Sequence, residues 1–108
     1  MESFEMLSER IRKFNKEREW DQFHSPSNLA KSISIEAGEL LECFQWDDSA
    51  YNRDEVIGEL ADVANYCIQM AQALDEDLID IINAKMDVSE KKYPVEKAKG
   101  VSTKYDKL

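Results

Sequence analysis

The segment Ile35-Glu36-Ala37-Gly38-Glu39-Leu40 and its downstream counterpart Gly58-Glu59-Leu60-Ala61-Asp62 decide how this chain folds. Each segment carries two carboxylates three residues apart, a spacing that puts both on one face of an α-helix. Each also holds a glycine inside the same helix, which costs about 1 kcal/mol relative to alanine. Two such helices side by side would bring four carboxylates together, and like charges do not gather without a cation.

The composition predicts one acidic domain that spans residues 1–108. The chain has 108 residues, of which 43% are hydrophobic, and a formal net charge of −9. That length can bury a modest core. An acidic surface repels the phosphates of nucleic-acid polymers and of anionic membranes, whereas divalent cations and small phosphates bound to them remain suitable ligands. We therefore expect a small-molecule partner and neither a nucleic-acid polymer nor a membrane.

The two cysteines indicate a reducing compartment. Cys43 and Cys67 lack CxxC spacing, and each lies in a helical apolar pattern, so we expect reduced core residues and a cytoplasmic location. The amino-terminal segment MESFEMLSERIRK has no apolar region typical of a signal peptide. No apolar run approaches the length of a membrane span.

Strong helix breakers are rare, which predicts an all-α fold. Prolines occur only at positions 26 and 94, and glycines at 38, 58 and 100. Ser25 is a predicted N-cap, followed by Pro26 at the first helical position. The predicted helices run from about Ser3 to Trp20, Pro26 to Trp46, Arg53 to Leu74 and Leu78 to Lys91, with a polar loop at 47–52 and an irregular tail at about 93–108.

The paired acids predict a metal site. A carboxylate on a buried stripe is costly unless it is paired, and Lys85 is the only clear inward-facing base that could pair with four of them. Oxygen-only ligands indicate Mg²⁺ or Mn²⁺, and the lack of histidine or cysteine beside them argues against zinc. The predicted metal ligands are Glu36, Glu39, Glu59 and Asp62.

Three further features have two interpretations each. Trp20 and Trp46 flank the second helix, where they either pack the helix ends or sandwich a flat base. Lys85 either binds a phosphate or extends its stem along apolar surface. His24, the only histidine, is more often a structural loop residue than a ligand. Because no Walker A sequence is present, any nucleotide phosphates would have to be held by the metal and by lysines.

The four-acid pattern Glu36-x-x-Glu39 followed by Glu59-x-x-Asp62 resembles that of the MazG-type, all-α nucleoside triphosphate pyrophosphohydrolases. Several segments are similar to the dCTP pyrophosphatase branch of that family. They are Glu19-Trp20-Asp21-Gln22-Phe23-His24, Pro26, Asn28-Leu29, Leu40-x-Glu42-x-Phe44-Gln45-Trp46, Lys85-Met86-Asp87, Lys92-Tyr93-Pro94-Val95 and Lys104-Tyr105. The resemblance covers nearly the whole chain.

The resemblance implies an antiparallel four-helix bundle that assembles as a homodimer or homotetramer. It implies Mg²⁺-dependent cleavage between the α- and β-phosphates of a dNTP, with dCTP or a modified dCTP as substrate. Glu36 or Glu39 would act as general base, and all four acids would bind metal. The implied substrate-binding residues are Trp20, His24, Asn28 and Trp46 at the base, Tyr66 under the sugar, and Lys85, Lys104 and Tyr105 at the phosphates.

Two departures leave the choice of base open. Relatives often carry a histidine where Ile11 stands and an asparagine where Ser89 stands, and either could contact base or phosphate. A broad dNTP pyrophosphatase and a scavenger of modified bases are therefore alternatives. A non-catalytic helical oligomerisation module, with the acids in interchain salt bridges, is the alternative from another class.

Overall fold

The computed structural model describes residues 3–108, and its regular secondary structure in that range is entirely helical, as predicted. The helices are α1 (Phe4–Glu17), α2 (Pro26–Glu42), α3 (Arg53–Ala73), α4 (Leu78–Lys92) and the short α5 (Val95–Ala98), with 3-10 turns at Asp21–Phe23 and Tyr105–Lys107. None of the helices within 3–108 combines the length and apolar character that crossing a membrane requires. Residues 3–76 and 77–108 form two compact units.

Polar side chains start the four long helices by capping free backbone N–H groups. Ser25 is one of them, as predicted, since its hydroxyl accepts from the Asn28 N–H at 3.2 Å, with Pro26 next in the chain. Asp77 caps α4 by accepting from the Asp80 N–H at 3.1 Å. The other two caps are Ser3 and Asn52.

Helix α1 ends earlier than the sequence predicts, and the ending positions Trp20. Glu19 adopts a left-handed φ of 54°. Its N–H donates to the Lys16 carbonyl at 3.1 Å, and the Trp20 N–H donates to the Asn15 carbonyl at 2.9 Å. This is a Schellman motif formed without glycine, which is why no breaker signalled it. The motif folds Trp20 back onto Phe14, with ring centroids 5.5 Å apart at 75°.

Helix α2 also ends early, so Trp46 lies outside it. The N–H groups of Cys43, Phe44 and Gln45 each donate to the carbonyl three residues earlier, which tightens the chain into turns after Glu42. Asp47 then accepts from the N–H groups of Ser49 and Ala50, which fixes the predicted polar loop. Both cysteines are free and half-buried.

The core of residues 3–76 is small and lies where α1 and α2 pack on α3. Leu29 is 0% exposed, and it is joined in the core by Ile68 and Ala71. The Gln72 side chain ties α3 to α1 by donating to the Ser8 carbonyl and hydroxyl, both at 2.9 Å. The packing of α2 along α3 sets the two acidic segments side by side.

Residues 77–108 contain more structure than the predicted irregular tail. Pro94 ends the turn after α4, and α5 begins immediately after it. The Tyr105 ring contacts Tyr93 with centroids 6.1 Å apart, and the Lys92 ammonium lies 4.4 Å from the Tyr105 centroid. These aromatic and cation–π contacts hold the tail in a defined conformation.

Candidate metal centre and adjoining cavity

Three carboxylates from two helices meet at one point. Glu36 on α2 and both Glu59 and Asp62 on α3 each offer an oxygen, and these oxygens all lie within 4.8 Å of one another. Glu59 and Asp62 share one face of α3 because they stand three residues apart. Glu39, the fourth predicted ligand, is exposed one turn after Glu36 and is not among the three residues whose oxygens converge.

Two carboxylate oxygens in this cluster are sealed from solvent and unpaired. They are Oε2 of Glu36 and Oε2 of Glu59, and neither has a hydrogen-bond partner. A buried, unpaired carboxylate oxygen is unfavourable unless a cation binds it. The donor set therefore fits a metal ion.

Crowding of the acids raises the pKa values of Glu36 and Glu59 in the absence of a metal. Hydrogen bonding with the Glu39 carboxyl, then burial and the charges of Glu39, Asp62 and Glu59, raise the pKa of Glu36 to about 7. Burial, followed by the neighbouring Glu39, raises the pKa of Glu59 above its ordinary value. Positive charge brought among these groups would reverse both effects, because it stabilises the ionised forms.

A cavity of about 590 Å³ opens beside the acids, within residues 3–76. Glu36 and Asp62 border it, so a ligand in the cavity could reach the metal centre directly. Trp20, His24 and Tyr66 also line it, as do apolar side chains of α1 and α3. Its size and its mixture of aromatic walls with a few polar groups are typical of small-molecule sites.

Two other sequence-predicted binding residues of this unit, Trp46 and Asn28, do not line the cavity. Trp46 is 89% exposed and does not line this cavity. Asn28 is exposed, and its amide donates to the Phe23 carbonyl at 3.0 Å, which braces the turn after α1. Lys85, Lys104 and Tyr105 belong to residues 77–108, where all three are exposed.

Sequence reasoning missed a set of amide side chains in the cavity wall. Asn15 donates to Gln69 at 3.0 Å, and Gln69 donates to Asn65 at 2.9 Å. The available signal was the spacing of Asp62, Asn65 and Gln69 on α3, which follow one another at three and four residues and so share one helix face. The partner on α1 could not be identified from that spacing.

Comparison with known proteins places this architecture in a family. The model of the MazG-like family matches residues 31–108. The chain is 36% identical over 104 residues to dCTP pyrophosphatase 1 of Rattus norvegicus and of Homo sapiens, in each case across 88% of this chain and 61% of the relative. A crystal structure of a pyrophosphatase from Archaeoglobus fulgidus DSM 4304 superposes with a TM-score of 0.80 at 37% identity, covering 87% of this chain and 94% of that one.

The chain therefore belongs to the MazG-like family of all-α proteins, as the four-acid motif predicted. It is similar to the dCTP pyrophosphatase branch within that family. The chain spans about three fifths of the length of the curated relatives that it matches.

Proposed function

We propose that this protein is a Mg²⁺-dependent nucleoside triphosphate pyrophosphohydrolase. It cleaves a dNTP between the α- and β-phosphates and releases the nucleoside monophosphate and pyrophosphate. The proposed substrate is dCTP or a modified dCTP, because the curated relatives are named dCTP pyrophosphatase 1. Removal of such nucleotides from the cytoplasmic pool would be its role.

The observation that carries this proposal is the carboxylate cluster at the edge of the cavity. Glu36, Glu59 and Asp62 converge within 4.8 Å, and two of them contribute to the lining of a 590 Å³ cavity. A metal held there would lie beside any ligand in the cavity. Mg²⁺ bound by carboxylates ordinarily completes its coordination with waters and with phosphate oxygens of the substrate.

Residues of this chain are proposed to bind the metal, accept a proton from water and bind the phosphates. Glu36, Glu59 and Asp62 would hold Mg²⁺ or Mn²⁺, with Glu39 as the fourth acid. When bound, the ion supplies charge that stabilises the phosphates and lowers the pKa of water. Glu36 or Glu39 accepts a proton from the attacking water, since each is a carboxylate at the cluster. Lys85, Lys104 and Tyr105 are proposed to bind the phosphates that leave.

Aromatic side chains in the cavity wall would bind the nucleoside. Trp20 is held against Phe14 by the Schellman motif, which leaves its ring 44% exposed beside the cavity. Tyr66 follows Asp62 by four residues on α3 and is half-buried in the same wall. It is proposed to pack under the sugar, as the family resemblance implies. His24 and Asn28 are proposed to lie near the base, with Trp46 as the second stacking ring.

Release of pyrophosphate from dCTP tests the proposal. We expect release with Mg²⁺, no release with EDTA, and stoichiometric formation of dCMP rather than dCDP. A panel of dNTPs in the same assay ranks the bases. A non-catalytic oligomerisation module would release nothing from any nucleotide under either condition, and that result would refute the enzyme proposal.

A further inference from the structure

Three amide side chains form a continuous hydrogen-bonded chain in the cavity wall. Asn15 Nδ2 donates to Gln69 Oε1 at 3.0 Å, and Gln69 Nε2 donates to Asn65 Oδ1 at 2.9 Å. All three residues line the cavity that Glu36 and Asp62 border. Asn15 is 4% exposed and Gln69 is 8% exposed. We refer to Asn15, Gln69 and Asn65 together as the amide chain.

Nothing else in the described structure fixes the direction of the amide chain. Among residues 3–108, the side-chain hydrogen bonds of these amides connect them only to one another. Asn15 Oδ1 has no partner in that range, and it is not among the atoms sealed from solvent. Asn15 lines the 590 Å³ cavity and a second, smaller cavity. At the other end, the exposed Asn65 keeps its amide nitrogen free to donate.

The internal hydrogen bonds of the amide chain are preserved when all three amide groups are turned over. Each amide carries one acceptor oxygen and one donor nitrogen, so turning over all three preserves both internal hydrogen bonds. In the observed direction, Asn15 presents an acceptor and Asn65 presents donors. In the reversed direction, Asn15 presents donors and Asn65 presents an acceptor. In either direction, the amide chain therefore presents an acceptor at one end and donors at the other, and reversal exchanges the two ends.

We propose that the amide chain hydrogen-bonds to the edge of the substrate's base. Because the chain of amides can reverse, the site accepts pyrimidines that carry either a donor or an acceptor at the 4-position. Cytosine presents a 4-amino donor beside the N3 acceptor, whereas uracil presents a 4-oxo acceptor beside an N3–H donor. Asn65 is the contact residue at one end, because it lies three residues after Asp62 on the cavity side of α3. This inference rests on the proposed function, and it extends the substrate class from dCTP to dUTP.

The ratio of the kcat/KM values for dCTP and dUTP distinguishes a reversible amide chain from one whose direction is fixed. A site that hydrogen-bonds its substrate with fixed donors and acceptors rejects a mismatched analogue by about 10⁴–10⁵ in kcat/KM. A reversible amide chain can form hydrogen bonds with either cytosine or uracil. We therefore expect the wild-type kcat/KM values for dCTP and dUTP to agree within about tenfold.

A third nucleotide and one variant test the contact itself. The pyrimidin-2-one analogue of dCTP lacks the 4-amino group and should show a KM about tenfold higher, since an amide group is left unpaired. Asn65→Leu should raise the KM for dCTP and dUTP by about tenfold, leave that for the analogue little changed, and keep kcat. Asn65→Ala repeats the test if leucine prevents folding.

Gln72→Leu is the matched control. Gln72 is also an amide on α3 that bonds to α1, through Ser8, and it does not line the 590 Å³ cavity. Its removal should lower the melting temperature and leave every KM unchanged. A rise in KM equal to that of Asn65→Leu would show that the effect is structural and would overturn the inference.

Binding measurements separate failure of this inference from failure of the proposed function. The α,β-imido analogues of dCTP and dUTP are titrated with Mg²⁺ by calorimetry. Binding of both within about tenfold, without hydrolysis of either natural nucleotide, would support the inference and refute the proposed enzyme. Hydrolysis and binding of only one of the two, by a margin above about a hundredfold, would support the enzyme and overturn the inference.

Discussion

Glu36 on α2 and Glu59 on α3 bring carboxylate oxygens within 4.8 Å of each other, and each also keeps one buried oxygen without a hydrogen-bond partner. Two helices thus meet at a point where their side chains repel each other once ionised. The packing that aligns α2 with α3 works against this repulsion in the metal-free protein. A bound cation would convert the same contact into an attractive one.

Metal binding should therefore stabilise the fold. We expect Mg²⁺ or Mn²⁺ to raise the melting temperature, with about 2.7 kcal/mol of stabilisation at a hundredfold excess over Kd. Melting curves in Mg²⁺ and in EDTA, at ionic strength matched with KCl, measure the effect. Glu55→Gln, one turn before Glu59 on the exposed start of α3, is a control that should respond like the wild type. Identical curves with Mg²⁺ and EDTA would count against the metal site.

The metal-free protein should lose stability as the pH rises. The pKa of Glu36 is raised from its ordinary 4.5 to about 7, so between these values the folded chain binds more protons than the unfolded chain. The free energy of unfolding then falls with increasing pH. The contribution is fully present below pH 4.5 and is lost as the pH passes about 7. The raised pKa of Glu59 acts in the same direction.

Urea midpoints in EDTA at pH values from 4.5 to about 7 measure this slope. Glu36→Gln removes the group that titrates, so its slope should be shallower than that of the wild type. Saturating Mg²⁺ should also flatten the wild-type slope at neutral pH, since the cation stabilises the ionised carboxylates. A wild type whose stability instead rises across this range would contradict the crowding of the acids.

Base stacking on Trp20 should be visible in nucleotide binding. Trp20→Ala is expected to lose about 1–3 kcal/mol of dCTP binding, the usual contribution of base–aromatic stacking. Titration of dCTP should also quench tryptophan fluorescence in the wild type. Trp46→Ala tests the second ring of the sandwich that the family resemblance implies. A loss equal to that of Trp20→Ala supports the sandwich, whereas an unchanged KM leaves Trp20 as the only stacking ring.

The clustering of the acids could be predicted from sequence because the information is local. A spacing of three residues fixes a shared helix face, and 23 residues after Glu36 and Glu39 the same spacing recurs between Glu59 and Asp62. Too few basic residues on the inward-facing stripes to pair with these carboxylates then led to the prediction of a metal ion. The helix starts were readable for a similar reason, since Ser25 and Pro26 act within a single turn.

The features that sequence reasoning missed depend on conformations or partners that leave no local pattern. Glu19 takes a left-handed φ that glycine would have signalled, so α1 was predicted to continue to Trp20. The short α5 and its neighbouring turn are held by contacts of Tyr105 with residues twelve or more positions earlier. The amide chain requires α1 to pack on α3, and no spacing within either helix reveals that pairing.

Exposed apolar side chains on α2 and α3 predict self-association. Ile35 is 62% exposed, Leu41 73% and Leu60 56%. Large apolar side chains left exposed together commonly mark protein interfaces. We expect a homodimer or a larger even-numbered oligomer. Sedimentation equilibrium at micromolar concentration and physiological salt measures the mass, and a monomer mass would refute this expectation.

The glycines beside the acids give a more local test of the same interface. A Cβ added at Gly38 would meet no atom within 4 Å, so the described residues leave room for alanine there. Gly38→Ala should therefore stabilise the chain by about 0.5–1 kcal/mol through the unfolded state. Thermal melts at several protein concentrations measure it. Destabilisation accompanied by dissociation would show instead that a second copy packs against this glycine.

Substitution of the acids separates catalysis from structure. Glu36→Gln and Asp62→Asn keep size and shape but each removes a ligand charge from a different helix. We expect pyrophosphate release from dCTP in Mg²⁺ to fall by at least about a hundredfold in each, because the metal's stabilisation of the transition state is lost. The double variant should lose little more than either single one, since groups that act as a unit are non-additive.

The stability of the same variants in EDTA decides between a metal centre and a salt bridge. Removing one of several mutually repelling charges should leave the metal-free protein at least as stable as the wild type. A buried salt bridge predicts the opposite, because loss of one partner leaves the other charge buried and unpaired. Urea melts in EDTA are therefore measured beside the hydrolysis rates, with Glu55→Gln as the control. Marked destabilisation with near-normal turnover would exclude the metal-dependent hydrolase.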